Sequence, residues 1–258
     1  LGVEVLEMDV IISADQQVVV AHEPWLSARL GTGPEGEIID PARESEYNLY
    51  QLPYATIRRC RVGEWPLPGF PAQQPCSTFR PLLREVLRAT EAASQRLGRP
   101  PVRYAVEVKS EPASDDIYHP KPGPFVELVL AQLRMAGVLA RTTLLSFDER
   151  VLQTARVQEP TLALCLLTET TEPFDQLFRR LGFLPDTLGP DVALLSGTVV
   201  QELRDTYPAL RIVPWTINKW PDLQCVLTWQ VDGITTDYPD RLLALLGRLP
   251  SSTVTGQL

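Results

Sequence analysis

Apolar residues fall into short runs along this chain, and the runs are separated by stretches of helical period. Residues 3–12, VEVLEMDVII, read as a buried strand, and residues 18–22, VVVAH, as a second. The polar segment 13–17 between them makes the pair a β-hairpin. Residues 31–78 are irregular and rich in Pro, Gly and aromatics, which marks an insertion. Beyond it the pattern alternates. Strands are predicted at 103–109, 142–147, 161–167, 191–196, 210–217 and 231–236. Helices are predicted at 79–97, 124–137, 148–158, 173–182, 198–207, 220–229 and 239–248.

Short apolar strands alternating with helices imply βαβ units and a parallel sheet buried on both faces. The choice is between a doubly wound sheet and a (β/α) barrel. Polar residues favour the barrel, because Glu7, Asp9, Glu107, Lys109, Ser146, Asn218 and Asp237 gather at strand C-terminal ends. Barrel enzymes place their chemistry on that face. With 3–12 counted as one strand, seven parallel strands are expected, against eight in a closed TIM barrel. No GxGxxG or GxxxxGK[ST] occurs, so the nucleotide-binding versions of the architecture have no support.

Composition narrows the class. The 258 residues are 44% apolar and 22% charged, which excludes disordered, collagenous and coiled-coil chains. They are expected to form a single domain over 1–258, interrupted by the insertion. No apolar run reaches the ~18–20 residues of a membrane span, and residues 1–12 lack the pattern of a secretory signal. The net charge of −8, with no basic stripe, argues against a nucleic-acid partner. Lysine is scarce (Lys109, Lys121 and Lys219), as is histidine (His22 and His119). Cys60, Cys76, Cys165 and Cys225 have no zinc-type spacing. Cys165 and Cys225 read as core thiols, while Cys60 and Cys76 share one loop and would pair only in an exported protein.

Glu7 and Asp9 are two apart on a strand, so they share a face. They are either satisfied by arginine or form a site for a hard cation such as Mg²⁺ or Ca²⁺. With the hairpin turn centred near Asp15–Gln16, Asp9 is expected opposite His22, which places an acid–base group beside the carboxylates. Glu107 and Lys109 repeat the pattern. Glu107 is a third oxygen ligand and Lys109 a phosphate contact, or the two are an internal ion pair. Trp215, with Thr216 and Asn218, and Phe147 end other strands, where an aromatic ring either walls a substrate or packs the barrel.

These motifs resemble the glycerophosphodiester phosphodiesterase family. The matching stretches are GVEVLEMDVIISADQQVVVAHEPWLS (2–27), YAVEVK (104–109), LLSFDERVL (144–152), PWTIN (214–218) and VDGITTDYPDRL (231–242). The resemblance implies a TIM barrel that uses a divalent cation, Ca²⁺ or Mg²⁺, to hydrolyse glycerophosphodiesters to glycerol 3-phosphate and an alcohol. By this resemblance Glu7, Asp9 and Glu107 are metal ligands, and His22 is one of two catalytic histidines. Lys109 contacts phosphate, Trp215 lines the substrate pocket, and the 31–78 insertion caps the site. Many members of the family are exported, which leaves an extracellular or periplasmic location open.

Two departures qualify the match. The family's His-Asp turn is His22-Glu23 here, and its opening strand with a His-Arg-Gly ending is absent from this chain. His119, in the loop after the Glu107 strand, is expected on the rim and does not replace the missing histidine. Length gives an independent count. Without an insertion of ~45 residues, ~210 remain for a barrel that needs ~240 at ~30 per unit. The deficit of about one unit predicts that the first strand and helix are missing, with His-Arg upstream of Leu1 and turnover impaired. The rival readings are an inactive phosphate- or lipid-binding barrel and a phospholipase-D-like phosphodiesterase.

Overall fold

The computed structural model describes residues 1–249. Strand β1 (Val5–Ile12) and strand β2 (Val18–Val20) form the hairpin. Within the insertion lies the short helix α1 (Tyr54–Ile57), followed by α2 (Leu83–Arg96). The alternating part runs β3 (Arg103–Val108), α3 (Pro122–Met135), β4 (Thr142–Ser146), α4 (Glu149–Gln158) and β5 (Ala163–Thr168). It continues α5 (Phe174–Leu181), β6 (Thr187–Pro190), α6 (Gly197–Thr206), β7 (Arg211–Ile212), α7 (Trp220–Thr228) and α8 (Pro239–Leu245).

One seven-stranded sheet has the order β2-β1-β3-β4-β5-β6-β7, parallel throughout except for β2. This is a TIM-type barrel left open. Side chains alternate across the pleat. Met8, Val10, Tyr104, Val106, Leu144, Leu164, Leu188 and Ile212 point outward into a large core shared with the helices. Leu145, Cys165 and Leu167 form a smaller cluster on the inner face, with Ala105 and Trp215 against it. Local chemistry fixes the helix ends. Asp148 caps α4 by accepting from the Arg150 N–H, and Ser196 caps α6 by accepting from the Val199 N–H. Gly182 closes α5 at φ 86°, a left-handed value that glycine adopts without a Cβ clash.

The structure corrects several expectations. The strand expected at 191–196 is a 3-10 turn, Val192–Leu194, and the sheet instead takes up 187–190, TLGP. Gly and Pro read as turn residues, yet Gly189 is needed inside the sheet. A Cβ there would meet Leu167 Cδ2 at 2.7 Å and Cys165 Sγ at 3.1 Å. Helix α2 begins at Leu83 rather than 79, because Pro81 disfavours a helical residue before it. Residues 231–236 form no ladder strand. They lie along the β7 segment through Asp232 N–H to Ile212 O (2.9 Å), Thr235 N–H to Pro214 O (3.0 Å) and Ile217 N–H to Thr235 O (3.0 Å).

The open side lies between β1 and this segment. Arg103 N–H donates to Glu4 O and Lys109 N–H to Val10 O, so alternate backbone groups of β1 face β3. Those of Val5 and Glu7 face away from β3, below the stretch where β2 pairs. Val5 is accordingly 46% exposed. Side chains clasp the opening at both ends. Arg248 pairs with Glu4 and donates to Gly2 O (2.6 Å) at one end. At the other, Phe70 from the insertion stacks on Tyr238 with ring centroids 6.3 Å apart.

The insertion has a core of its own. Ile39, Leu49, Tyr54, Ile57 and Cys60 pack with Leu26 onto Ile11, Val19 and Leu82. Cys60 is buried and Cys76 exposed, and both are free thiols. No helix among the described residues is long and apolar enough to cross a membrane.

Candidate active site

The parallel register pairs Asp9 with Glu107 on adjacent strands, and Glu7 lies one pleat earlier on the same face. Carboxylate oxygens of Glu7, Asp9 and Glu107 all lie within 4.8 Å of one another. Lys109 Nζ is 2.8 Å from Glu107 Oε1 and 3.1 Å from Asp9 Oδ1. The internal ion pair therefore exists, and it lies within the carboxylate cluster. Three carboxylates against one ammonium leave a formal charge of −2 when all are ionised, the complement of a divalent cation.

Electrostatics record the same crowding. Burial pushes the Glu107 carboxyl up to about 7, with Asp9 adding to the rise and Lys109 opposing it. Burial, then repulsion from Asp9 and Glu107, pushes Glu7 up to about 8. Glu7 keeps solvent on the open side of the sheet, which moderates the burial contribution. Glu107 is only 7% exposed. Its Oε1 has the Lys109 ammonium 2.8 Å away, and that ammonium is shared with Asp9. One ammonium does not balance three carboxylates, one of them buried, and a cation held by the three would offset the remaining charge. Hard cations take oxygen ligands of this kind.

His22 is reached differently from the expectation. The register Val10↔Val20 puts Ala21, not His22, opposite Asp9, and Ala21 N–H donates to Asp9 O at 3.1 Å. Within a strand this shift would send His22 to the other face. The strand ends at Val20, however, and the chain bends at 22–24. His22 stays within the electrostatic reach of Glu7, Asp9 and Lys109. Its Nδ1 is 3.6 Å from Glu23 Oε1, and the same oxygen accepts from Arg29 at 2.6 Å. The Glu23 carboxylate raises the His22 pKa, against the effect of partial burial. In return His22, with Arg29, holds Glu23 down at about 2.

Trp215 closes the inner wall. Its Nε1 donates to Gly189 O at 2.8 Å, and Phe147 meets it edge-to-face with centroids 5.5 Å apart. The other strand-end polar residues serve the framework. Ser146 donates to Val108 O and accepts from the Asp148 N–H. Asn218 donates to Asp237 and accepts from the Thr236 hydroxyl and the Asp237 N–H.

His119 is not on the rim. It is 4% exposed, accepts the Glu111 N–H on Nε2 at 3.1 Å, and has Nδ1 2.9 Å from Pro120 O. Both ring nitrogens are used in holding the loop after β3, because a buried imidazole needs partners. Two groups beside the site escaped the sequence reading. Arg29 engages Glu23, and Arg80 is buried between the insertion and the end of β2. The only signal for Arg80 was its place before Pro81, which keeps it extended and out of α2.

Comparison with known proteins agrees with the fold. The model of the glycerophosphoryl diester phosphodiesterase family matches residues 1–241, and the chain belongs to that family. It is 25% identical over 247 residues to the glycerophosphodiester phosphodiesterase of Bacillus subtilis (strain 168), covering 91% of this chain and 74% of that one. Among solved structures it is similar to a protein from Silicibacter pomeroyi DSS-3 assigned as a glycerophosphoryl diester phosphodiesterase. That match has a TM-score of 0.80 and 29% identity, and covers 95% of this chain and 83% of the other. A phosphodiesterase of Oleispira antarctica, solved with the product sn-glycerol-3-phosphate, shares the fold. Its TM-score is 0.70 at 18% identity, with 95% and 86% of the two chains covered.

Proposed function

We propose that this chain hydrolyses glycerophosphodiesters to glycerol 3-phosphate and an alcohol, with a divalent cation, Ca²⁺ or Mg²⁺, held by Glu7, Asp9 and Glu107. The observation that carries the reading is the convergence of three carboxylates, Glu107 buried among them, on a single ammonium. A bound cation neutralises phosphate charge and lowers the pKa of a coordinated oxygen.

The protein's own groups do the rest. Lys109, already at the edge of the cluster, turns its ammonium to a phosphate oxygen, a contact suited to a point charge. The Glu23 carboxylate favours the imidazolium form of His22, so His22 protonates the departing alkoxide as the phosphorus–oxygen bond to the alcohol breaks. Water supplies the new oxygen on phosphorus. Trp215, braced by Gly189 and Phe147, covers the apolar side of the glycerol. His22 is the one imidazole at the cluster, since His119 is committed to its own loop. Assayed as these 258 residues alone, with half of an acid–base pair, the chain is expected to turn over slowly.

The test is release of glycerol 3-phosphate from glycerophosphocholine in Ca²⁺, in Mg²⁺ and in EDTA. Cation-dependent release that disappears in Glu107→Gln supports the reading. The single imidazole favours one alternative, a barrel that binds phosphate without turnover. Cation-dependent binding of glycerol 3-phosphate with no release from any headgroup would select that alternative.

A further inference from the structure

We infer that Arg80 is an anion-binding residue of this site and donates to the phosphate of the substrate beside His22. The inference rests on the phosphodiester reading above and adds a binding group to it.

The backbone supports the placement. Val19 pairs with Leu82 in an antiparallel bridge, and Val20 N–H donates to Pro81 O at 2.8 Å. Continuing that register sets Arg80 opposite Ala21. Ala21 is in turn opposite Asp9, and Asp9 opposite Glu107. The extended register thus lines up Arg80, Ala21, Asp9 and Glu107, the last two within the sheet. Cross-strand neighbours share a face, so Arg80 stands on the face that carries the carboxylates. Two strand spacings, about 10 Å of backbone, separate it from Asp9. An arginine side chain and one phosphate group together fill that gap.

The guanidinium is unusual in having nothing to hold. Arg80 is 6% exposed, and its Nη1 is fully buried without a partner. Among the described residues its side chain donates no hydrogen bond and forms no ion pair. Its electrostatic neighbours are the Cys60 thiol and the Glu23 carboxylate. Glu23 is already engaged by Arg29 at 2.6 Å and by His22. A buried charge without a partner is strongly unfavourable, and arginine does not escape by losing its proton. The planar guanidinium matches two oxygens of a phosphate at once. A phosphate that also meets Lys109 would supply the missing partner.

Arg80→Met and Arg80→Lys test this on the full chain. Calorimetry measures binding of sn-glycerol 3-phosphate, inorganic phosphate and glycerol, and thermal unfolding is followed without ligand. Loss of a bidentate charged contact is expected to weaken both phosphate ligands by roughly 10–100-fold in Arg80→Met, while glycerol binding is unchanged. Arg80→Lys is expected to fall between the two. The unliganded melting temperature of Arg80→Met should stay level or rise, because an unpaired buried cation has been removed. Wild-type phosphate affinity in a folded Arg80→Met would overturn the inference. So would a drop in melting temperature with affinity unchanged in both variants, which would make Arg80 a packing residue. The two readings fail separately. If the wild type hydrolyses no diester while Arg80→Met loses phosphate affinity, the activity reading fails and the anion site stands. If Arg80→Met keeps wild-type kcat/KM and phosphate affinity, the anion site fails and the activity reading stands.

Discussion

Replacing Glu107 with Gln should make the cation-free protein more stable in mild base. In the wild type, burial lifts this carboxyl from 4.5 to about 7. Below about pH 4.5 it is protonated in both the folded and the unfolded chain, so it adds no pH dependence. Above that, the unfolded chain ionises while the folded carboxyl keeps its proton. Stability then falls as pH rises, until the folded group ionises near 7. The full rise corresponds to about 3 kcal/mol, an upper figure because Lys109 shares the charge. Glu7 acts in the same direction but is open to solvent and adds less. For a chain of this length about 3 kcal/mol is roughly 5–10 °C in melting temperature. The assay is thermal unfolding from pH 5.5 to 8.5 in EDTA and in excess Ca²⁺ or Mg²⁺. In EDTA the wild type should lose ground to Glu107→Gln as pH rises. With cation the order should reverse, because ligand that binds only the folded state adds about 4.1 kcal/mol at 1,000 times its Kd. Parallel pH profiles for the two proteins in EDTA would refute the argument, as would equal stabilisation of both by the cation.

Other perturbations separate chemistry from framework. Replacing His22 with Asn should cut kcat by about 10²–10⁴ without unfolding the protein, checked by product release alongside circular dichroism. Glu23→Gln removes the carboxylate that raises the His22 pKa; the basic limb of the pH–rate profile should move to lower pH, and an unmoved limb would count against His22 as the acid. His119→Phe leaves the Glu111 N–H without its acceptor, so urea unfolding should show a loss of about 1–3 kcal/mol with kcat little changed. Gly189→Ala forces a methyl group against Leu167 and Cys165, and overpacking of that kind costs about 1–3 kcal/mol, also read by urea.

The residues that carry the chemistry were legible because a strand has a strict period. Glu7 and Asp9 share a face whatever the details of packing, as do Glu107 and Lys109, and the parallel register then brings Asp9 beside Glu107. What escaped depended on partners distant in sequence. The end of β2 decides where His22 points, and a one-residue difference in register put Ala21 rather than His22 opposite Asp9. Leu166 and Leu188 belong to paired strands, but the Gly-Pro ending of β6 hid it behind the more apolar stretch that follows. The burial of His119 follows from its hydrogen bonds to Glu111 and Pro120, neither of which composition reveals. Arg80 lay in the unpatterned approach to α2, where a surface arginine and a buried one look alike.

The contact of Phe70 with Tyr238 makes the insertion a strap. It leaves the sheet beside β2, at one edge, and touches down at the start of α8, past the other edge. Surface loops ordinarily tolerate changes in length because closure entropy grows slowly. This one has a span to cover, so its length is fixed by the width of the opening. Cutting the backbone between Gly63 and Cys76 would remove no residue of the carboxylate cluster and would leave the two ends of the loop paired through Cys76 N–H to Gly63 O (2.8 Å), yet it would loosen the Phe70 contact with Tyr238. For an engineer, that segment is a poor place for a tag or a graft, despite having the composition of a permissive loop.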